Sequence, residues 1–108
     1  MEGAIMFHKI KEIKPLKRYV LLAIFQDGTV KMYDVGHLFD EIEIFNALKE
    51  IPCLFHRVKV DIGGYGISWN DEIDLSCDEI WDNGVLLCED ILRILERMFF
   101  SALCKMVS

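Results

Sequence analysis

Residues 19–33 read YVLLAIFQDGTVKMY, and this stretch decides the fold. Tyr19 to Phe25 is a run of aromatic, β-branched and aliphatic side chains that suits a pleated, half-buried surface. Thr29 to Tyr33 resumes that character after Gln26-Asp27-Gly28. Asp-Gly between two apolar runs predicts a β-hairpin, because both tight-turn positions require φ > 0. An antiparallel pair therefore organises the chain on either side.

Toward the N-terminus, residues 4–13 read as a strand, loosely alternating and stopped by Pro15. Toward the C-terminus, Asp40-Glu41-Ile42-Glu43 has the form of a capping box, with Glu43 placed to reach back to the cap amide. Leu38, Ile42, Phe45 and Leu48 recur at helical spacing, which predicts a helix over Asp40 to Glu50 that ends near Pro52. Phe55 to Asp61 returns to strand, with His56, Val58 and Val60 on one face and Arg57 and Lys59 on the other. Gly63-Gly64-Tyr65-Gly66 turns into a last strand around Ile67-Ser68-Trp69, which Ile73 and Leu75 extend. Ser76-Cys77-Asp78-Glu79 is a second capping box, opening a short helix through Ile80 and Trp81 that Asp82-Asn83-Gly84 breaks.

A longer helix is expected from Val85 to Lys105, with Glu89 and Asp90 in its first turn and Lys105 in its last, matching the helix dipole. Leu87, Ile91, Ile94, Leu95, Met98, Phe99 and Ala102 give it an apolar face wider than the ~100° stripe one sheet can cover. The surplus predicts a homodimer through this face. The expected architecture is α+β. A mainly antiparallel sheet of four or five strands carries two or three helices, the longest at the C-terminus. Residues 1–84 form the sheet domain, and residues 85–108 a helix packing on it or on a second copy.

With 108 residues, one core is the limit. The apolar share is 53%, and it rises when glycine replaces tyrosine in the count. Ordinary globular chains show ~45–50% on that basis, so part of this surface is expected to face another chain. The most apolar region is interrupted by Glu89, Asp90, Arg93, Glu96 and Arg97, so it is no membrane span. The start does not resemble a signal peptide, and the four cysteines form no C-x-x-C pair. Free thiols in a reducing cytoplasm are expected.

The net charge of −6 disfavours nucleic acid. Its distribution is uneven. Lys9, Lys11, Lys14, Lys17 and Arg18 make the first strand basic, whereas residues 71–90 hold eight acidic residues and no Lys or Arg. A basic partner suits the acidic half. Tyr65, Asp71, Glu72, Asp74, Asp78 and Trp81 are the candidate partner-binding residues, the aromatics serving as anchors beside charge.

Catalytic and metal chemistry lack their patterns. His8, His37 and His56 stand at no zinc-type spacing. Cys53 with His56 has nothing beside it to lower a thiol pKa, and Cys77, in a predicted first helical turn, has Asp74, Asp78 and Glu79 opposing its thiolate. Asn70, Glu72, Asp74 and Ser76 alternate like the start of a calcium loop. Leu75 stands where that loop needs Gly, and Trp81 where it needs Glu. Gly63, Gly64 and Gly66 form a turn, with a strand after them where a phosphate loop needs a helix. No catalytic residue, metal site or cofactor is expected.

The ordered set of Tyr19 to Phe25, Asp27-Gly28, Tyr33-Asp34, Phe45, Leu48, Phe55, Val58-Lys59-Val60-Asp61, Gly66-Ile67-Ser68-Trp69, Asp74-Leu75 and Ile80-Trp81 resembles the small bacterial domain-of-unknown-function family 2442. The resemblance spans residues 10–83. It implies an α+β fold, no established enzyme activity and no catalytic residues to carry over. It also implies stand-alone chains, helix-turn-helix fusions, and toxin–antitoxin-type pairs with a second small protein. The apolar stretch after Gly84 departs from the pattern and is too short for a helix-turn-helix domain. The expected function is a non-enzymatic protein–protein interaction domain, with antitoxin-like pairing to a small basic protein as one form of it. A regulatory module that meets nucleic acid through the basic N-terminal strand is the alternative.

Overall fold

The Asp-Gly hairpin lies at the middle of a four-stranded antiparallel sheet in the computed structural model, which describes residues 7–87. The hairpin strands are β2 (Val20–Phe25) and β3 (Val30–Asp34), with Leu21 opposite Tyr33 and Leu22 opposite Met32. Strand β1 (Ile10–Pro15) pairs with β2 on one side. A turn of three residues, 26–28, is closed by Phe25 and Thr29: Gly28 donates its N–H to the Phe25 carbonyl at 3.0 Å, and Phe25 donates to the Thr29 carbonyl at 2.8 Å. Within it only Gly28 has positive φ, +93°. Asp27 instead holds the loop from its side chain, accepting the Thr29 N–H at 2.9 Å. The expected two-residue turn is thus a wider turn with glycine at its bulge position.

A second antiparallel sheet contains β4 (Lys59–Val60), β5 (Gly66–Ser68) and β6 (Asp74–Ser76). The expectation of one sheet is corrected to two. Strand β1 shifts register between Ile10 and Glu12 and ends on Pro15, which has no N–H, so its outer edge cannot carry a regular ladder. The second sheet meets β1 by close approach. A Cβ on Gly64 would lie 2.5 Å from the Ile10 carbonyl oxygen, and Gly64 has φ +81°.

The predicted helix over Asp40 to Glu50 is a 3₁₀ turn, Glu43–Asn46, running into one α-helical turn, α1 (Ala47–Glu50). Ile42 is extended (φ −130°, ψ 106°) and no side chain caps the turn, so Asp40 and Glu43 make no capping box. Ile42, Phe45 and Leu48 are spaced by three, which suits a 3₁₀ turn as well as an α-helix. Phe45 and Leu48 are buried, but Ile42 is 43% exposed. Phe55–Arg57 is likewise a 3₁₀ turn where strand was expected, and His56 is exposed. The cause is tertiary. Trp69 donates its indole N–H to the Phe55 carbonyl at 3.0 Å, and the two rings stack at 6.2 Å.

Half of the second capping box forms, because the Glu79 carboxylate accepts from Tyr33 and Asn83 and not from the Ser76 amide. Ser76 Oγ accepts the Glu79 N–H at 3.1 Å and starts α2 (Cys77–Asn83), the longest helix among the described residues. The chain after it differs from expectation. Val85 and Leu86 are not helical but form β7, pairing with Met32 and Lys31, and Leu87 donates to the Val30 carbonyl at 3.0 Å. Gly84 ends α2 in an extended conformation, which directs the chain alongside β3. The remainder of the expected helix, with Ile91, Ile94, Leu95, Met98, Phe99 and Ala102, lies outside the described residues.

One core joins both sheets. Leu21, Ala23, Phe25 and Tyr33 from the first meet Ile67 and Leu75 from the second, with Val35, Leu38, Phe45, Leu48 and Phe55 from the connections and Ile73, Cys77 and Ile80 around α2. Full burial of each large apolar side chain contributes ~1.5–3 kcal/mol. The fold is α+β, and among the described residues no helix is long and apolar enough to cross a membrane.

Candidate functional site

The 3₁₀ turn Val35–Leu38 follows β3 because Asp34 caps it, its carboxylate accepting the Gly36 N–H at 2.8 Å. This cap sets His37 and Leu38 opposite the start of α2. The next turn, closed by Glu41 and Ile42 amides on the Leu38 carbonyl, places Glu41 and Ile42 on the same rim. From the other side, β6 supplies Asp74 and Leu75, and α2 supplies Glu79 and Asn83 one helical turn apart. Between them runs an open groove of about 580 Å³. Three carboxylates, Glu41, Asp74 and Glu79, line it together with His37, Ser76 and Asn83 and apolar Leu38, Ile42 and Leu75; no Lys or Arg lines it.

The groove wall is braced from β3. The buried Tyr33 donates its hydroxyl to Glu79 Oε2 at 2.8 Å, and Asn83 donates its amide to the same oxygen at 2.9 Å. His37 Nε2 lies 3.4 Å from the Tyr33 hydroxyl, while Nδ1 is bonded to the Asp34 carbonyl. Burial first, then the bond to Glu79 and the charges of Glu79, Glu41 and Asp34, raise the Tyr33 pKa, so the phenol keeps its proton.

Of the partner residues predicted from sequence, Asp74 lines this groove. Asp71 and Glu72 are exposed at the tip of the β5–β6 connection, where Asn70 Oδ1 accepts the Glu72 and Ile73 amides at 2.9 Å each. Asn70 is therefore a turn former rather than an ion ligand. Asp78 is exposed in the first turn of α2.

The two predicted anchors already touch basic side chains of their own chain. Tyr65 is 49% exposed, meets Phe7 edge-on at 5.4 Å and has the Lys9 ammonium 5.0 Å from its ring centre. Trp81 stacks on His8 at 3.5 Å and meets Phe25 edge-on at 4.9 Å. It also carries the Lys31 ammonium 4.2 Å from its ring centre, and Lys31 donates to its carbonyl. Of the basic residues at the N-terminal end, Lys9 is thereby held against an aromatic ring of its own chain, and Lys31 of β3 likewise. Leu87, the first of the expected dimer-face residues, is half-buried beside β3.

Sequence reasoning passed over Tyr33, His37, Glu41, Glu79 and Asn83 as site residues. Glu79 and Asn83 carried a signal in their i, i+4 spacing on a capped helix. Tyr33 and His37 carried none, because a strand end followed by a 3₁₀ turn has no simple period. Cys77 is buried, and burial first, then the charge of Asp78, raises its thiol pKa, while Cys53 is exposed. Among the described residues no group of three or more His, Cys, Asp or Glu is placed to hold a metal ion.

No curated protein and no solved structure gives a match. Residues 10–85 match the model of the family described as Protein of unknown function (DUF2442). The match runs from the first residue of β1 to the first of β7, taking in both sheets, α2 and every residue that lines the groove. On that match, which covers more than half of its 108 residues, the chain belongs to the DUF2442 family.

Proposed function

We propose that this chain is a non-enzymatic interaction domain whose groove receives a basic segment of a partner protein. The observation that carries the reading is the groove lining: three carboxylates and no Lys or Arg, together with apolar Leu38, Ile42 and Leu75. The aliphatic stem of a lysine or arginine has apolar contacts there, and its charged head has acceptors. Glu79 is held in place by Tyr33 and Asn83, so little ordering remains to be done on binding. Antitoxin-like pairing with a small basic protein is one form this interaction takes.

Titration of a fluorescein-labelled nona-arginine peptide, followed by anisotropy at low and physiological salt, tests it. Each exposed carboxylate–cation pair contributes ~0.2–1 kcal/mol. Glu41→Gln with Asp74→Asn together is therefore expected to weaken binding ~2- to 30-fold. Equal binding by wild type and double variant overturns the assignment to the groove. A gel shift with random RNA or DNA that exceeds peptide binding favours the nucleic-acid alternative instead.

A further inference from the structure

We infer that His37 is a proton switch on this groove, admitting a cationic side chain when its imidazole is neutral and repelling one when it is protonated. The inference rests on the groove receiving a basic segment, and adds what controls it. His37 is exposed on the groove wall, yet both ring nitrogens face fixed groups. The Asp34 carbonyl can only accept, so Nδ1 bears a hydrogen. A neutral ring then leaves Nε2 without one, 3.4 Å from the Tyr33 oxygen. The Tyr33 proton is committed to Glu79, so a neutral His37 turns a lone pair toward an oxygen with no hydrogen to offer it.

Adding a proton at Nε2 closes the chain in one direction, imidazolium to phenol to carboxylate, with no atom displaced. The added positive charge sits on the wall between the carboxylates that a cationic ligand needs. The charged groups around it are Asp34 on β3, Glu41 on the adjoining turn, Asp74 on β6 and Glu79 on α2, with the Tyr33 phenol beneath. Proton and cationic ligand therefore compete for one set of anions, and by linkage each lowers the affinity for the other.

The test repeats the nona-arginine titration at pH 8 and pH 6, a window in which histidine changes charge while ordinary carboxylates and guanidinium do not. Wild type is expected to bind ~2- to 4-fold more weakly at pH 6, the effect of one unit charge about 5 Å away in a mostly aqueous site, carried only by the fraction of a histidine that is protonated at that pH. In His37→Gln the ratio is expected to fall close to one. His8 and His56 are present in both proteins and cancel. The same ratio in both proteins overturns the switch and leaves the groove standing. Absence of binding by wild type at pH 8 overturns the groove and the switch together.

Discussion

Tyr33→Phe deletes one hydroxyl from a fully buried side chain and leaves its ring packing in place. The lost bond runs from the phenol to Glu79 at 2.8 Å. Hydrogen bonds to charged groups contribute about 1.5–3 kcal/mol. The lower half of that range applies, because Glu79 is only half-buried and keeps the Asn83 amide at 2.9 Å. A loss of about 1.5–2 kcal/mol at pH 7 is expected, or roughly 1 M in urea midpoint for a small domain.

The pH dependence is the sharper test. Burial and Glu79 raise the Tyr33 pKa in the folded state, whereas an unfolded tyrosine ionises near pH 10. The neutral phenol's stabilisation is thus fully present below about pH 10 and is lost as pH rises beyond it, at up to about 1.4 kcal/mol per pH unit. Tyr33→Phe has no such loss at this position, so the gap between the two proteins should narrow from pH 7 to pH 11. Urea denaturation followed by tryptophan fluorescence at both pH values measures it, with Tyr19, Tyr65 and the lysines cancelling in the difference. A gap that stays constant, or no loss at pH 7, refutes the reasoning.

Two backbone substitutions should act in opposite directions. Gly64→Ala sets a Cβ 2.5 Å from the Ile10 carbonyl oxygen at φ +81°; backbone meets backbone there, so a loss of about 2–4 kcal/mol is expected in thermal or urea unfolding, and a change under 0.5 kcal/mol would show that the two sheets are not held at this contact. Arg18→Gly relieves a left-handed residue (φ 61°) in the β1–β2 connection. The relief of about 1–2 kcal/mol, less the glycine's extra unfolded-state entropy, should raise stability by about 0.5 kcal/mol; destabilisation would mean that the exposed Arg18 side chain makes a compensating contact.

The local, contiguous features of this chain were legible from residue order alone. Asp27-Gly28 between two β-rich runs is enough to form the hairpin, and Ser76 with Glu79 starts α2, because each motif is closed by hydrogen bonds spanning a few residues. Three features were decided only by tertiary structure. Phe55 becomes a 3₁₀ turn because its carbonyl is taken by the indole of Trp69, fourteen residues away. Val85 and Leu86 become strand because the edge of β3 lies beside them with unpaired backbone groups to satisfy. The groove arises because Tyr33 reaches Glu79 across 46 residues of sequence and brings His37, Glu41 and Asp74 to one rim. Periodicity records which side of an element is apolar. It carries no record of which polar side chains the closing of two sheets on one core will bring face to face.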